Sequence, residues 1–157
     1  YGPPEKCYYE EVTDEPGIVV NTYGKGVTAA FPWPIGALYY RYSSEPHIGL
    51  VRDTIANSLG VTSQVETDAS AMVMFTLNEQ PESGRTLLHL INSSGHHGTA
   101  FHAPVPMQDI KVTIEVGRPV NRVRALWLKE DLEFEMEEGR CRFTVPKLDL
   151  VEAISIE

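Results

Sequence analysis

The chain has 157 residues, with 13 Lys and Arg against 22 Asp and Glu, so its formal net charge at pH 7 is −9. This length accommodates one domain, or one domain and a fragment of another. The acidic balance argues against a nucleic-acid partner, whose phosphates need a basic face, and is compatible with a neutral ligand such as a sugar. No apolar run approaches the ~18 residues of a membrane span, so we expect neither a nucleic-acid nor a membrane partner.

The first 16 residues are rich in Pro and Glu and contain one strand-like run, Cys7 to Val12. The chain opens on Tyr1 without an initiator Met, and we expect it to be the tail of something larger. Cys7 and Cys141 are too far apart in sequence to suggest a metal motif. Because Cys141 alternates with arginines in a strand-like run, it is predicted to be a small buried core residue.

A β-hairpin is predicted next. Two β-rich runs, residues 17–23 and 27–31, are joined by Gly24-Lys25-Gly26, and such a glycine-containing link is typical of a tight hairpin turn. Pro32 and Pro34 end the second strand, because proline has no N–H to donate to a strand partner.

One main helix is predicted over residues 46–59, where apolar side chains recur at steps of three and four. Pro46 suits the first turn of this helix and Gly60 suits the position that ends it. Between hairpin and helix, residues 36–42 are predicted to form one helical turn or an aromatic loop.

From Thr62 onward the apolar period becomes two, which predicts strands rather than helices. A turn at Glu137-Glu138-Gly139 is expected to place Arg opposite Glu on a solvent-exposed face. Trp127 falls in a predicted strand and is expected in the core. The predicted strands cover residues 70–77, 85–91, 110–116, 121–128, 132–136, 140–145 and 151–156.

The longest connection, residues 92–107, contains three histidines, His96, His97 and His102, and His89 lies nearby. Imidazoles bind zinc, and a flexible loop could bring three of them together. However, no Cys accompanies them and no helix fixes their spacing, so a solvated loop is favoured over a metal site. A pH-sensitive contact is the other alternative.

Aromatic residues cluster after the hairpin at Phe31, Trp33, Tyr39, Tyr40 and Tyr42. Flat aromatic faces stack on sugar rings or anchor subunit interfaces. Packing in the core or at an interface is favoured, and sugar contact through Trp33, Tyr39, Tyr40 and Tyr42 is the alternative.

No catalytic residue and no cofactor are predicted. The turn at Gly24-Lys25-Gly26 lacks the spacing and the Lys-Ser/Thr pair of a phosphate loop, and no Gly-x-Ser-x-Gly motif occurs. A carboxyl group needs apolar surroundings to act as a general acid at neutral pH. The acidic residues considered are Glu10, Glu11, Glu130, Asp131, Glu133, Glu135, Glu137 and Glu138. The last six of them are predicted to lie in turns or at outward positions, with Arg neighbours.

Two groups of motifs together resemble a family. Residues 1–5, 13–17, 23–27 and 31–39 read YGPPE, TDEPG, YGKGV and FPWPIGALY. They resemble the last segment of the glutamine-amidotransferase-like domain of large glycoside hydrolases, the β-galactosidase trimerisation domain. In that domain a strand, a Gly-Lys-Gly turn, a strand ending in Phe-Pro and a final helix close a flavodoxin-like fold.

The second group is similar to the C-terminal β-sandwich of the same enzymes, in which one strand carries a His-Leu-x-Asn run. It comprises residues 86–92, 104–110 and 143–146, which read TLLHLIN, PVPMQDI and FTVP. The resemblance implies catalytic acids on an N-terminal (β/α)8 barrel. No part of this chain matches that barrel, so the resemblance assigns no catalytic residue here.

The predicted fold is mainly β: an antiparallel β-sandwich, residues 62–157, preceded by a partial α/β segment, residues 1–61, that ends the amidotransferase-like domain. The predicted function is that of a non-catalytic structural and oligomerisation region of a multidomain glycoside hydrolase. The alternatives are a carbohydrate-binding accessory module and a metal site in the histidine loop. Expected partners are the other domains of the parent protein and further copies of the chain, with carbohydrate as a further candidate.

Overall fold

The computed structural model describes residues 13–157; the strand predicted at residues 7–12, Glu10 and Glu11 lie outside the described residues. The chain divides into two compact units, Tyr1–Ser63 and Gln64–Glu157. We call them the N-terminal unit and the sandwich. The predicted mainly β architecture is confirmed, because strands dominate the described residues and the sheets are antiparallel. Within the described range, no helix is long and apolar enough to cross a membrane.

The N-terminal unit opens with the predicted hairpin. Strand β1, Val19–Tyr23, pairs antiparallel with β2, Gly26–Ala30, and two residues turn the chain between them. Gly24 has a φ of +61°, a backbone conformation that glycine adopts without strain. A glycine in this region at the first turn position is the requirement of a type II′ hairpin turn.

Two α-helices follow, where the sequence predicted one helix and a short turn or loop. Helix α1 spans Ile35–Tyr42, so the aromatic stretch is helical over eight residues. Helix α2 spans Glu45–Asp53, and the remainder of the predicted helix, Thr54–Ser58, is π-helical.

The change in helix type after α2 has a local explanation. The Thr54 hydroxyl donates to the Leu50 carbonyl at 2.8 Å, a side-chain bond that competes with the helical ladder. The Leu59 N–H then bonds to the Thr54 carbonyl, five residues back, at 3.1 Å, which is the π-helical spacing. Gly60 ends the helix with a φ of +66°, as predicted.

The sandwich is built from two antiparallel sheets. One has the strand order β10-β9-β13-β5-β4 and the other β11-β12-β8-β3, and β6 and β7 form a separate small hairpin. The strands are β3 Val65–Thr67, β4 Val73–Gln80, β5 Arg85–Asn92, β6 His96–His97, β7 Ala100–Phe101, β8 Met107–Glu115, β9 Val123–Ala125, β10 Glu130–Leu132, β11 Phe134–Glu137, β12 Arg140–Leu148 and β13 Val151–Ile156.

The core lies between the two sheets and follows the predicted period of two. The five-stranded sheet contributes Leu88 and Ile154, and the four-stranded sheet contributes Val112 and Val145. Cys141 is fully buried in this core, as predicted, and its burial raises the pKa of the thiol to about 11.

The predicted strand over residues 132–136 is divided between the two sheets. Strand β10 pairs with β9, whereas β11 pairs with β12, so the chain crosses between sheets at Glu133. The alternation of apolar and polar residues is not interrupted where the chain passes from one sheet to the other, because Leu132 and Phe134 both pack against the core, each from its own sheet. The two-residue period of apolar side chains therefore could not reveal that the chain changes sheets at Glu133.

The hairpin of β11 and β12 has the predicted pairing of opposite charges. Glu135 lies opposite Arg142 and Glu137 lies opposite Arg140. The closest ion pair is diagonal, with Arg142 Nη1 2.9 Å from Glu137 Oε2. Such exposed pairs contribute well under ~1 kcal/mol each, so they fix register more than they stabilise the fold.

Candidate functional site

One end of the sandwich gathers four connections: residues 69–72, 93–106, 126–129 and 149–150. Backbone hydrogen bonds join three of them at the end of β5, where Ser93 N–H donates to Met72 O at 2.9 Å and Asn92 N–H donates to Leu150 O at 2.8 Å. The fourth bonds to the start of β13. Loops gathered at one end of a β-sandwich are a frequent place for binding sites, so this loop end is our candidate site.

Asn92, at the end of β5, holds two of these connections together. Its side chain is 2% exposed, and its Nδ2 donates to the carbonyls of Val105 and Asp149, both at 2.8 Å. Its Oδ1 accepts from the N–H and the hydroxyl of Ser94 at 3.1 and 2.7 Å. These bonds use both donors and both acceptor positions of the amide, so Asn92 fixes the 93–106 loop to the turn before β13.

Glu152, in β13, fixes the turn at residues 126–129. Its side chain is 1% exposed. Oε1 accepts from the N–H groups of Trp127 and Ala153 at 2.9 and 2.8 Å, and Oε2 accepts from Leu128 N–H at 3.1 Å. Burying a carboxylate is costly unless hydrogen bonds replace water, and here three backbone amides do so. The side chain therefore serves to hold the turn.

Trp127 is exposed on this turn, and the prediction that it belongs to the core was wrong. Its residue exposure is 66%. The reason is that β9 ends at Ala125, so residues 126–129 form a turn and no longer follow the alternation of the strand. Arg124 fixes the far end of the turn by donating to Lys129 O at 3.3 Å.

A charged cluster lies beside the turn on the outer face of the sheet. Asp131 accepts from Arg122 Nε and Nη2 at 2.9 and 3.1 Å and from Arg124 Nη1 at 3.2 Å. The hydrogen bond from Arg122 is the largest cause that lowers the pKa of Asp131 below its ordinary value, and the same bond raises the pKa of Arg122. Asp131 is therefore an ionised anchor for both arginines.

The three loop histidines are placed as parts of a small hairpin. The His96 ring stacks on Phe101 with centroids 4.8 Å apart and planes at 9°, and its Nε2 lies 2.8 Å from Gly98 O. His97 lies in β6 opposite Ala100, and His102 N–H donates to Gly95 O at 2.8 Å.

No group of three or more His, Cys, Asp or Glu within residues 13–157 is placed to hold a metal ion. His89 lies on β5, opposite Thr76 on one side and Ala153 on the other. Gly95 is required where it stands, because a Cβ there would collide with the carbonyl of His102.

The aromatic residues that the sequence analysis proposed for sugar or interface contact lie in the N-terminal unit, and their surroundings differ. Trp33 Nε1 donates to Gly17 O at 2.7 Å, and its ring meets His47 edge-on at 5.8 Å. Tyr40 on α1 is 91% exposed. Tyr39 and Tyr42, on the same helix, are also exposed.

A shallow groove of about 900 Å³ lies against the four-stranded sheet. Lys111 and Arg142 line it together with Glu133 and Glu135, so the groove has side chains of both charges.

Sequence reasoning missed Asn92, Glu152 and the exposure of Trp127. One signal was present for Glu152: it is the only charged residue in the run 151–156, which is otherwise apolar except for Ser155. A charge at such a position indicates a buried polar contact. However, the turn residues that Glu152 holds lie 24 and 25 residues away in sequence, and the most distant partner of Asn92 lies 57 residues away, so no local pattern connects them.

No protein-family model matches this chain, and no curated protein matches it. Among solved structures, it is similar to α-L-fucosidase isoenzyme 2 from Paenibacillus thiaminolyticus, with a TM-score of 0.75 and 23% identity over 90% of this chain and 22% of that chain. It also matches a cycloisomaltooligosaccharide glucanotransferase from Paenibacillus sp., with a TM-score of 0.46 and 16% identity over 59% of this chain and 16% of that one.

The similarity to the fucosidase shows that the chain shares the fold of part of a glycoside hydrolase. The chain spans about a fifth of the length of that enzyme. The more specific resemblance to a β-galactosidase trimerisation domain stays a prediction.

Proposed function

We propose that this chain is a non-catalytic structural and oligomerisation region of a larger glycoside hydrolase, in which the N-terminal unit would close an amidotransferase-like domain. The observation that carries the proposal is the fold shared with a fucosidase over 90% of this chain but only 22% of that enzyme. Because the matching region is only about a fifth of such an enzyme, most of the enzyme lies outside it, and this supports an accessory role for the chain.

The surroundings of the acidic side chains support a non-catalytic role. A glycosidase general acid needs a raised pKa, whereas the pKa of Asp131 is lowered by its arginine partners. Glu152 is committed to three backbone amides. Glu66 and Glu137 bond to arginines at 2.7 and 2.9 Å.

The apolar surface of the N-terminal unit supports an oligomerisation role. Tyr40 is 91% exposed and Tyr23 is 85% exposed, and Val19 and Val20 of β1 are about half exposed. Aromatic residues carry much of the energy of protein interfaces. An exposed surface of this kind favours association with another copy of the chain or with another domain.

Light scattering across a concentration series tests the oligomerisation role. We expect the molar mass of the chain to rise with concentration, and we expect a combined Y39A/Y40A/Y42A variant to shift association to at least tenfold higher concentration. F101A is the matched control, because Phe101 is 80% exposed on the sandwich. A monomer at all concentrations, or equal weakening by F101A, would contradict this role.

An activity assay tests the non-catalytic role separately. Aryl fucosides, galactosides and glucosides offered to the purified chain should show no hydrolysis above the buffer rate. Hydrolysis that persists through repeated purification and is lost in a single carboxylate variant would overturn the proposal.

A further inference from the structure

Trp127 is displayed on a turn whose backbone is fixed from both sides. Leu126 N–H donates to Ala153 O at 2.9 Å, and Glu152 accepts from the two following N–H groups. Arg124 donates to the carbonyl of Lys129 at the other end. Four bonds therefore hold a four-residue turn, and Trp127 remains 66% exposed.

Such a turn presents a contact surface at low entropic cost. A rigid backbone leaves only the two side-chain torsions of Trp127 to be ordered by a ligand. Sites that bind with defined geometry are usually held in this way by buried supporting residues. Glu152, which is 1% exposed and accepts hydrogen bonds from three backbone amides, is the supporting residue here.

The surroundings of the indole indicate the ligand class. Lys129 and Glu130 follow it and are exposed, and Arg124 and Asp131 form their ion pair on the adjoining strands. Leu126, in the same turn, is 41% exposed, so the apolar surface of the turn consists of these two neighbouring side chains. The centres of protein interfaces are depleted of charged residues, so the charged residues that border this surface disfavour a protein partner. The net charge of −9 disfavours phosphates and nucleic acids.

We propose that the turn at residues 126–129 binds a neutral pyranose unit of an oligosaccharide. The apolar C–H face of the sugar would stack on the Trp127 indole. The hydroxyl groups at the edge of the sugar ring would form hydrogen bonds with the exposed side chains of Lys129 and Glu130. The residues of this site belong to the sandwich, whereas the tyrosines of the proposed oligomerisation surface belong to α1 of the N-terminal unit.

The test is calorimetric titration of the whole chain with cellotetraose, maltotetraose and xylotetraose. We expect saturable binding of at least one of them with a Kd on the order of 1 mM. Binding should weaken at least tenfold in W127A and be partly retained in W127F. Y40A is the matched control, since Tyr40 is an exposed aromatic of the N-terminal unit, and its binding should equal that of the unaltered chain.

The W33F variant leaves Trp127 as the single tryptophan, so its fluorescence reports sugar binding at the turn directly. Its fluorescence should shift to shorter wavelength as the bound sugar saturates. E152Q should weaken sugar binding in this background and move the emission of the free protein, because the turn loses its charged acceptor. A purely structural Glu152 would change stability and leave the Kd of the folded protein unaltered.

Three results would overturn the proposal: no saturable binding of any of the three sugars, equal binding by W127A, or equal loss in Y40A. If W127A instead lowers the molar mass in solution without a sugar effect, the turn is a protein interface and the sugar site is wrong. Failure of the tyrosine variants to alter association would contradict only the oligomerisation role.

Discussion

The N-terminal unit and the sandwich use the same kind of hairpin but bury it very differently. Val19 in β1 is 46% exposed, whereas Val112 in β8 is 1% exposed. Among the described residues of the N-terminal unit, Ile35 and Thr54 are the buried side chains, while both sheets of the sandwich contribute to one contiguous core. A tight turn and β-branched residues are thus sufficient to form a hairpin, but its apolar side chains become buried in a core only where a second sheet packs against it.

This difference has an energetic meaning. Burial of apolar surface is the main favourable term in folding, at about 25 cal/mol per Å². The sandwich gains this stabilisation from side chains of both sheets, whereas the hairpin of the N-terminal unit leaves three valines and Tyr23 exposed. We therefore expect the cooperative stability of the chain to reside in the sandwich.

The largest expected effect comes from truncating a core side chain of the sandwich. Ile154 is fully buried, so I154A should lower the free energy of unfolding by about 3 kcal/mol, measured by urea denaturation with circular dichroism. The matched control is L50A, because Leu50 on α2 is 36% exposed and should lose less than ~1 kcal/mol. Equal losses in the two variants would contradict the assignment of the core to the sandwich.

Next in size is the loss of the buried amide at the loop end. N92A leaves the carbonyls of Val105 and Asp149 without this donor, which should cost about 2 kcal/mol in urea denaturation. Asn78 on β4 is exposed, so N78A serves as the control and should change stability by less than ~0.5 kcal/mol. A neutral N92A would mean that the loop is not held by this side chain.

Turn glycines offer a direct comparison of the two hairpins. Gly24 has a φ of +61° and Gly139 a φ of +80°, where a Cβ costs roughly 1–2 kcal/mol. G139A should lower the unfolding midpoint of the sandwich, whereas G24A should leave that midpoint unchanged and speed amide hydrogen exchange in β1 and β2. A fall of the sandwich midpoint in G24A would show that the hairpin belongs to the same cooperative unit.

The smallest expected effect is a pH dependence beside the Trp127 turn. Because Arg122 lowers the folded-state pKa of Asp131, Asp131 contributes stability above its unfolded pKa and loses it as the pH falls through the folded value. The midpoint of urea denaturation should therefore fall on acidification, and D131N should remove part of this slope. D149N, which alters an exposed acid paired with Lys147 at 2.8 Å, is the comparison; an equal reduction of the slope by both variants would contradict a specific role for Asp131.

The sequence predicted the local features of the fold well. The period of two identified the inward side of β8 and β12 and placed Cys141 in the core. The hairpin at Gly24 and the helix end at Gly60 were also confirmed. These features depend on neighbouring residues, through side-chain alternation and backbone sterics, so a local pattern is sufficient to reveal them.

The candidate site was not predictable in the same way. The turn that exposes Trp127 is held by Glu152. Asn92 joins the loop before β8 to the turn before β13 by donating to the carbonyls of Val105 and Asp149. Similarly, the strand predicted through Glu133 changes sheets without breaking its period. Each of these outcomes depends on which distant segment supplies the partner.

By itself, then, the sequence predicted most of the longer strands, the tight turns, most of the inward-facing residues and the mainly β class. The tertiary structure decided which strands share a sheet, that Trp127 faces solvent, and that two buried polar side chains fix the loop end. The physical reason is one of range. Alternation and glycine φ angles act within a few residues, whereas a buried carboxylate or amide must find hydrogen-bond partners wherever the folded chain brings them.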